Sequence, residues 1–188
     1  SVSGSGRATP QGGGFDFRLD AEKLADLAAL VRRVAPSAVA EALASRALAL
    51  SPAHLTIGVA TDATGAFTQV NLAGDAGGAR WSAQAQPSGA GRMQARLSAQ
   101  APEAAILLRQ AGLAALPLKG LGGARLEAQG NGEIGGALQT RAALDLAGLA
   151  LRFDGETVFA LDRASAQGRL VAESGDLSRL APLFAFGA

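Results

Sequence analysis

Few residues in this chain carry reactive chemistry, and they stand apart from one another. His54 is the single histidine. A zinc site needs further thiol, imidazole or carboxylate ligands, and none cluster around it. As a general base it needs a nucleophile and an orienting acid, which sequence spacing does not supply. No G-x-S-x-G elbow is present. Gly130-Asn131-Gly132-Glu133-Ile134-Gly135 spells G-x-G-x-x-G. In a dinucleotide site those glycines open a helix whose N-terminus receives pyrophosphate. Here Gly136 and an alternating run follow, so the cluster reads as a hairpin turn at Asn131-Gly132. Asp154 and Glu156 flank Gly155 as a cation pair would, and also as a solvated turn would. Arg80, Arg92 and Arg96 fall on one face of an alternating pair of segments. There they would contact lipid phosphates or simply solvate a sheet.

Composition narrows the classes further. The chain has 188 residues, 17 Lys plus Arg against 16 Asp plus Glu, and no sustained basic run. That leaves no electrostatic footprint for nucleic acid. Cysteine is absent, so neither disulfides nor thiolate chemistry arise. No stretch of about 18 apolar residues is long enough to span a bilayer. The 25 glycines and abundant alanines suit tight turns and closely approaching strands. The sequence reads as a segment of a longer protein.

The elements that would position these residues follow two periods. Residues 1–14 are Ser/Gly-rich and read as a flexible linker outside the fold. Asp20 is placed to cap a helix whose apolar stripe is Leu24, Leu27, Ala28 and Val31, ended by Pro36. Ser37 caps a second helix to about Ala47. From Leu55 the period is two, with turns at Asp62–Gly65, Asp75–Gly78 and Pro87–Gly89. Ala79–Gln86 and Arg92–Ala99 form the clearest hairpin, one face apolar and the other polar or basic. A second helix-led unit starts at Pro102 and ends its helix at Gly112. Strands follow near Ala124–Gln129, Gln139–Ala147, Leu149–Phe153, Val158–Leu161 and Ala164–Ala172. Gly148 marks a bulge or bend and Asp154-Gly155 a turn.

A strand leading into a helix recurs, with Leu19, Leu97 and Leu170 aligned, in steps of 97 − 19 = 78 and 170 − 97 = 73. The repeat divides the chain into a linker (1–14), two helix-plus-strands units (15–99 and 100–173) and the start of a third unit's helix (174–188). The fold class is therefore α+β and β-rich. Repeated antiparallel strand groups form a curved sheet or groove, with short helices at the start of each unit. Trp81, Met93, Leu97, Leu126, Leu144 and Leu146 are the candidate lining of an apolar groove. No residue set forms a catalytic, metal or cofactor site.

The run Leu144–Gly155 and the tail Gly168–Leu180, with its Gly175-Asp176-Leu177 step into a helix, resemble the strand pairs of the AsmA-like proteins. The resemblance is clearest from Gly123 to Leu180. It implies the periplasmic part of a Gram-negative envelope protein, anchored in the inner membrane by an N-terminal helix. It also implies a β-groove related to bridge-type lipid transfer proteins, serving outer-membrane biogenesis without catalytic residues. Phospholipid or acyl chains and the neighbouring repeats of the parent protein are the expected partners. Two alternatives remain open: an envelope interaction module that uses its sheet edges, and an enzyme built on His54 or the glycine cluster.

Overall fold

Alternation, rather than helix propensity, governs most of this chain. The computed structural model describes residues 1–34, 41, 44–89, 91–112, 122–133, 136–146, 148–159 and 164–175. Ten strands succeed one another: β1 (Val2–Thr9), β2 (Gly12–Ala21), β3 (Ala53–Asp62), β4 (Phe67–Ala76), β5 (Ala79–Pro87), β6 (Arg92–Ala101), β7 (Ala124–Glu133), β8 (Ala137–Leu146), β9 (Leu149–Phe159) and β10 (Ala164–Ser174). Helix α1 (Ala25–Val34) follows β2, and helix α2 (Ala104–Ala111) follows β6. Residues 44–46 add a helical turn before β3. The strands form one antiparallel sheet in strict sequence order, β1 through β10, open among the described residues. This is the expected β-rich α+β architecture. Each helix is inserted after a strand and followed by four more, so the repeat spans four strands.

The registers join end to end into straight rows that cross the sheet. One row on the apolar face reads Ala21, Ala53, Ala76, Ala79 on β2 to β5, then Ala101, Ala124 and Leu146 on β6 to β8. The helices lie over this row, and alanine there lets them approach closely. Leu107, Leu108 and Ala104 of α2 pack on Ala79, Ala99, Ala101, Ala124, Leu146 and Leu149. Leu24 and Ala28, at the start of α1 and inside it, pack with Ala47, Ala53 and Ala76. Trp81 touches both clusters. Ser51 Oγ accepts from the Leu24 amide at 2.9 Å and donates to the Ala47 carbonyl at 2.7 Å, tying the entry of α1 to β3. Gln110, buried, donates from Nε2 to the Ala76 carbonyl at 2.8 Å and so fixes α2 to the β4–β5 turn. That turn places both Gly77 (φ 57°) and Gly78 (φ 86°) in the left-handed region, the requirement of a two-residue hairpin loop.

Several local expectations are corrected. Residues 1–14 are not a linker: β1 pairs with β2 along eight positions, and the Phe17 ring lies over Gly4. A Ser/Gly-rich strand lacks apolar alternation of its own, so its partner's aromatics supply the cover. Asp20 lies in β2 rather than at a helix cap; its carboxylate faces His54 Nδ1 across the sheet at 3.1 Å. Asn131 and Gly132 lie inside β7, opposite Gln139 and Leu138, and the turn closes through the Gly136 amide on the Glu133 carbonyl. Of the two readings of Gly148 the bend holds and the bulge does not: it lies in the β8–β9 hairpin turn, which accounts for the parity change between Leu146 and Leu149. Asp154-Gly155 makes no turn: Gly155 faces Gly168 in mid-strand, and a side chain on either would strike the other backbone. The repeat also aligns differently. Phe17, Leu97 and Leu170 occupy one row, whereas Leu19 belongs to the row of Ala99 and Ala172. Gly112 does end α2, in the left-handed conformation. The Pro36 break, the Ser37 cap and the helix expected beyond Gly175 lie outside the described residues.

Among the described residues, the β3–β4 loop carries the one clearly displaced titration. Asp62 Oδ1 accepts from the Thr64 hydroxyl at 2.6 Å, the Thr64 amide at 2.8 Å and the Ala66 amide at 3.1 Å. These bonds, the Thr64 hydroxyl first, hold its carboxyl below the usual 3.8. A depressed carboxyl contributes order above its unfolded pKa and loses it as pH falls through the folded one. Protection of the Thr64 and Ala66 amides, taken relative to an unstructured chain at the same pH, is therefore expected to fall as pH drops below 3.8. Asp62→Asn should abolish that pH dependence, which NMR exchange measured across the range will check.

Candidate functional site

Because strand side chains alternate, the sheet separates the candidate residues onto two faces. Beyond the alanine row, the apolar face carries a second row: Leu19, Leu55, Gly74, Trp81, Ala99, Leu126, Leu144, Leu151 and Ala172 on β2 to β10. Leu126, Leu144, Leu151 and Trp81 are half-buried against the α2 core. The third row is Phe17, Ile57, Leu72, Ala83, Leu97, Ala128, Ala142, Phe153 and Leu170. None of it is fully buried, and Leu97 is 36% exposed. The helices thus roof one margin of an apolar surface and leave the rest uncovered among the described residues.

Within that uncovered part lies a trough of 290 Å³, reaching from β4 to β9. Val70, Leu72, Leu97 and Leu138 stand as its larger walls, while Ala83, Ala85, Ala95, Ala128 and Gly130 form a low floor. The dip exists because those floor side chains are small. Its few hydroxyls are internally satisfied: Thr140 and Thr157 bond each other at 2.6 Å. Five inter-strand steps of about 4.8 Å make the trough about 24 Å long, perpendicular to the strands.

The polar face has a larger hollow, 1320 Å³, spread over β4 to β10. Its floor is made by short side chains, Ala73, Ser82, Ser98 and Ala143, with Ser82 and Ser98 hydroxyls 2.8 Å apart. Its charged walls are largely paired: Arg141 Nε to Asp154 at 3.1 Å and Arg152 to Glu173 at 3.3 Å. All four side chains are more than half exposed, so each pair contributes at most about 1 kcal/mol. The lining is mixed in sign, which suits a solvated surface better than a selective anion site.

Leu97 lines the trough. Trp81, Leu126 and Leu144 border it, packed against the core that the helices close. Leu146 is 1% exposed and belongs to that closed core under α2, so it is no wall of an open groove. Met93 is half-buried further along β6. Arg80, Arg92 and Arg96 all lie on the opposite face, Arg80 beside Asp75 at 3.5 Å and Arg96 in the polar hollow. Arg96 borders the trough through its backbone alone, so a ligand lying in the trough meets none of the three guanidinium groups. The small floor residues were the part that sequence reading missed, since alanine in a strand carries no signal until its neighbours across the sheet are known. His54 and Asp20 are both well exposed. No group of three metal-ligating side chains forms among the described residues. No helix among them is long and apolar enough to cross a membrane. The glycine cluster is strand and turn and opens no helix.

Neither a protein-family model, nor a curated protein, nor a solved structure matches the chain.

Proposed function

We propose that this chain is a lipid-handling wall: acyl chains lie across its strands in the trough beside the helix-covered margin. The observation that carries the reading is the apolar strip itself, continuous over β2 to β10 and, among the described residues, roofed along one side. A bilayer core of about 30 Å holds two chains end to end, so one chain needs roughly 15 Å. The trough's length of about 24 Å is sufficient. In this reading the residues orient and shield, and no catalytic step is involved. The headgroup sits at the trough's rim rather than on Arg80, Arg92 or Arg96, which face away. The setting that fits, through the resemblance to AsmA-like proteins, is the periplasm of a Gram-negative cell, in a membrane-anchored parent that serves outer-membrane biogenesis.

Trp81 is the single tryptophan and lies two residues along β5 from Ala83 of the trough floor. Titration with phospholipid brominated along its acyl chain is expected to quench its fluorescence saturably. Native mass spectrometry of the purified chain should show lipid adducts. An unquenched Trp81 together with adduct-free spectra would refute lipid handling.

A further inference from the structure

We infer that copies of this chain join head to tail through their sheet edges, β10 of one against β1 of the next. The inference goes beyond lipid handling and does not depend on it. Among the described residues, no further strand pairs with the outer side of β1 or of β10. Every neighbouring pair is antiparallel and the strand number is even, so β10 runs opposite to β1. A second copy in the same orientation therefore presents its β1 antiparallel to β10, with the apolar faces on the same side.

The edges are complementary in chemistry as well as direction. Of the seven exposed large hydrophobic side chains among the described residues, Val2, Phe15, Phe17 and Leu170 flank the two edges. The usual protections of an edge, proline and inward charge, are missing from β1, where Arg7 is the only charged residue. Continuing the sheet's straight rows places Leu170 beside Gly4 of the second copy, where the Phe17 ring already covers the glycine. Leu170 and that ring then shield each other. On the polar face the same register sets Arg169 against Ser5 and Gln167 against Arg7, so no like charges meet. A shift of two residues would bring Arg169 onto Arg7, which is disfavoured. Such a contact is heterologous and propagates, and each added copy lengthens the apolar strip by about 48 Å.

The chain has no cysteine, which makes disulfide mapping clean. Mild oxidation of the Ser5→Cys/Arg169→Cys chain is expected to give a ladder of linked dimers and trimers on non-reducing gels. The Ser5→Cys/Ser165→Cys control, about 13 Å out of register, should stay monomeric. In sedimentation velocity the unmodified chain's mean mass should rise with concentration, and Leu170→Lys should weaken association at least about tenfold. Equal ladders from both cysteine pairs, an intrachain disulfide in the first, or a monomer at every concentration would each overturn the inference. Because none of these readouts involves lipid, they can fail or succeed independently of the Trp81 titration.

Discussion

Leu97→Glu is expected to strip bound acyl chain from the protein while leaving its folding almost untouched. Leu97 stands in the wall of the trough, 36% exposed, in the third row of the apolar face. Each methylene held out of water contributes about 0.8 kcal/mol. A carboxylate that keeps its water displaces roughly four of them, a loss of about 3 kcal/mol or more than 100-fold in affinity. The side chain stays partly hydrated in the free protein, so the melting temperature should fall only slightly. Arg96→Ala, one residue away on the opposite face, provides the contrast: it should leave lipid affinity within about twofold. Quenching of Trp81 by brominated lipid reads both. Equal affinities for Leu97→Glu and the unmodified chain would place the ligand elsewhere or remove it altogether.

Leu146→Ala should produce the largest loss of stability. Leu146 is 1% exposed and Leu149, across the β8–β9 hairpin, is 0% exposed; both pack under α2 with Leu107 and Leu108. Truncating such a leucine removes its transfer free energy and leaves a cavity that neighbours fill only in part, a cost of about 3 kcal/mol. Leu170→Ala, at an edge and 66% exposed, should cost under about 0.5 kcal/mol. Urea unfolding measures the pair. Near-equal midpoints would mean that α2 does not cover the sheet as described.

Residue order alone carries part of this structure. Where a strand alternates large apolar with polar side chains, as in Leu55–Val59 or Trp81–Gln86, the period alone identified it. Turns also read correctly where backbone conformation demands glycine, as at Gly77-Gly78. The failures share a cause. Gly155 and Gly168 are small because they face each other across β9 and β10, and Gly132 because it lies close to Ala137. The first reason is not local in sequence and the second needs the hairpin's register, so Gly155 and Gly132 mimicked turns. Strand β1 was invisible for the same reason: its apolar cover comes from Phe15 and Phe17 of β2. The trough wall at Leu97 was legible from alternation, but the placement of Leu146 depended on where α2 comes to rest. Alternation alone placed Arg80, Arg92 and Arg96 on the face opposite the apolar strip, and the strand pairing keeps them there.

The strict order of the strands bears on how the chain reaches this structure. Each strand joins the one completed just before it, so the entropy of closing a loop stays small at every step except where a helix intervenes. No strand waits for a distant partner. The sheet can grow vectorially, hairpin by hairpin, as the polypeptide leaves the ribosome or a translocation pore. The growing margin is unsatisfied throughout that process. A nascent sheet of this design is therefore most vulnerable to mispairing at its newest strand, and that hazard ends only when the last strand finds a neighbour.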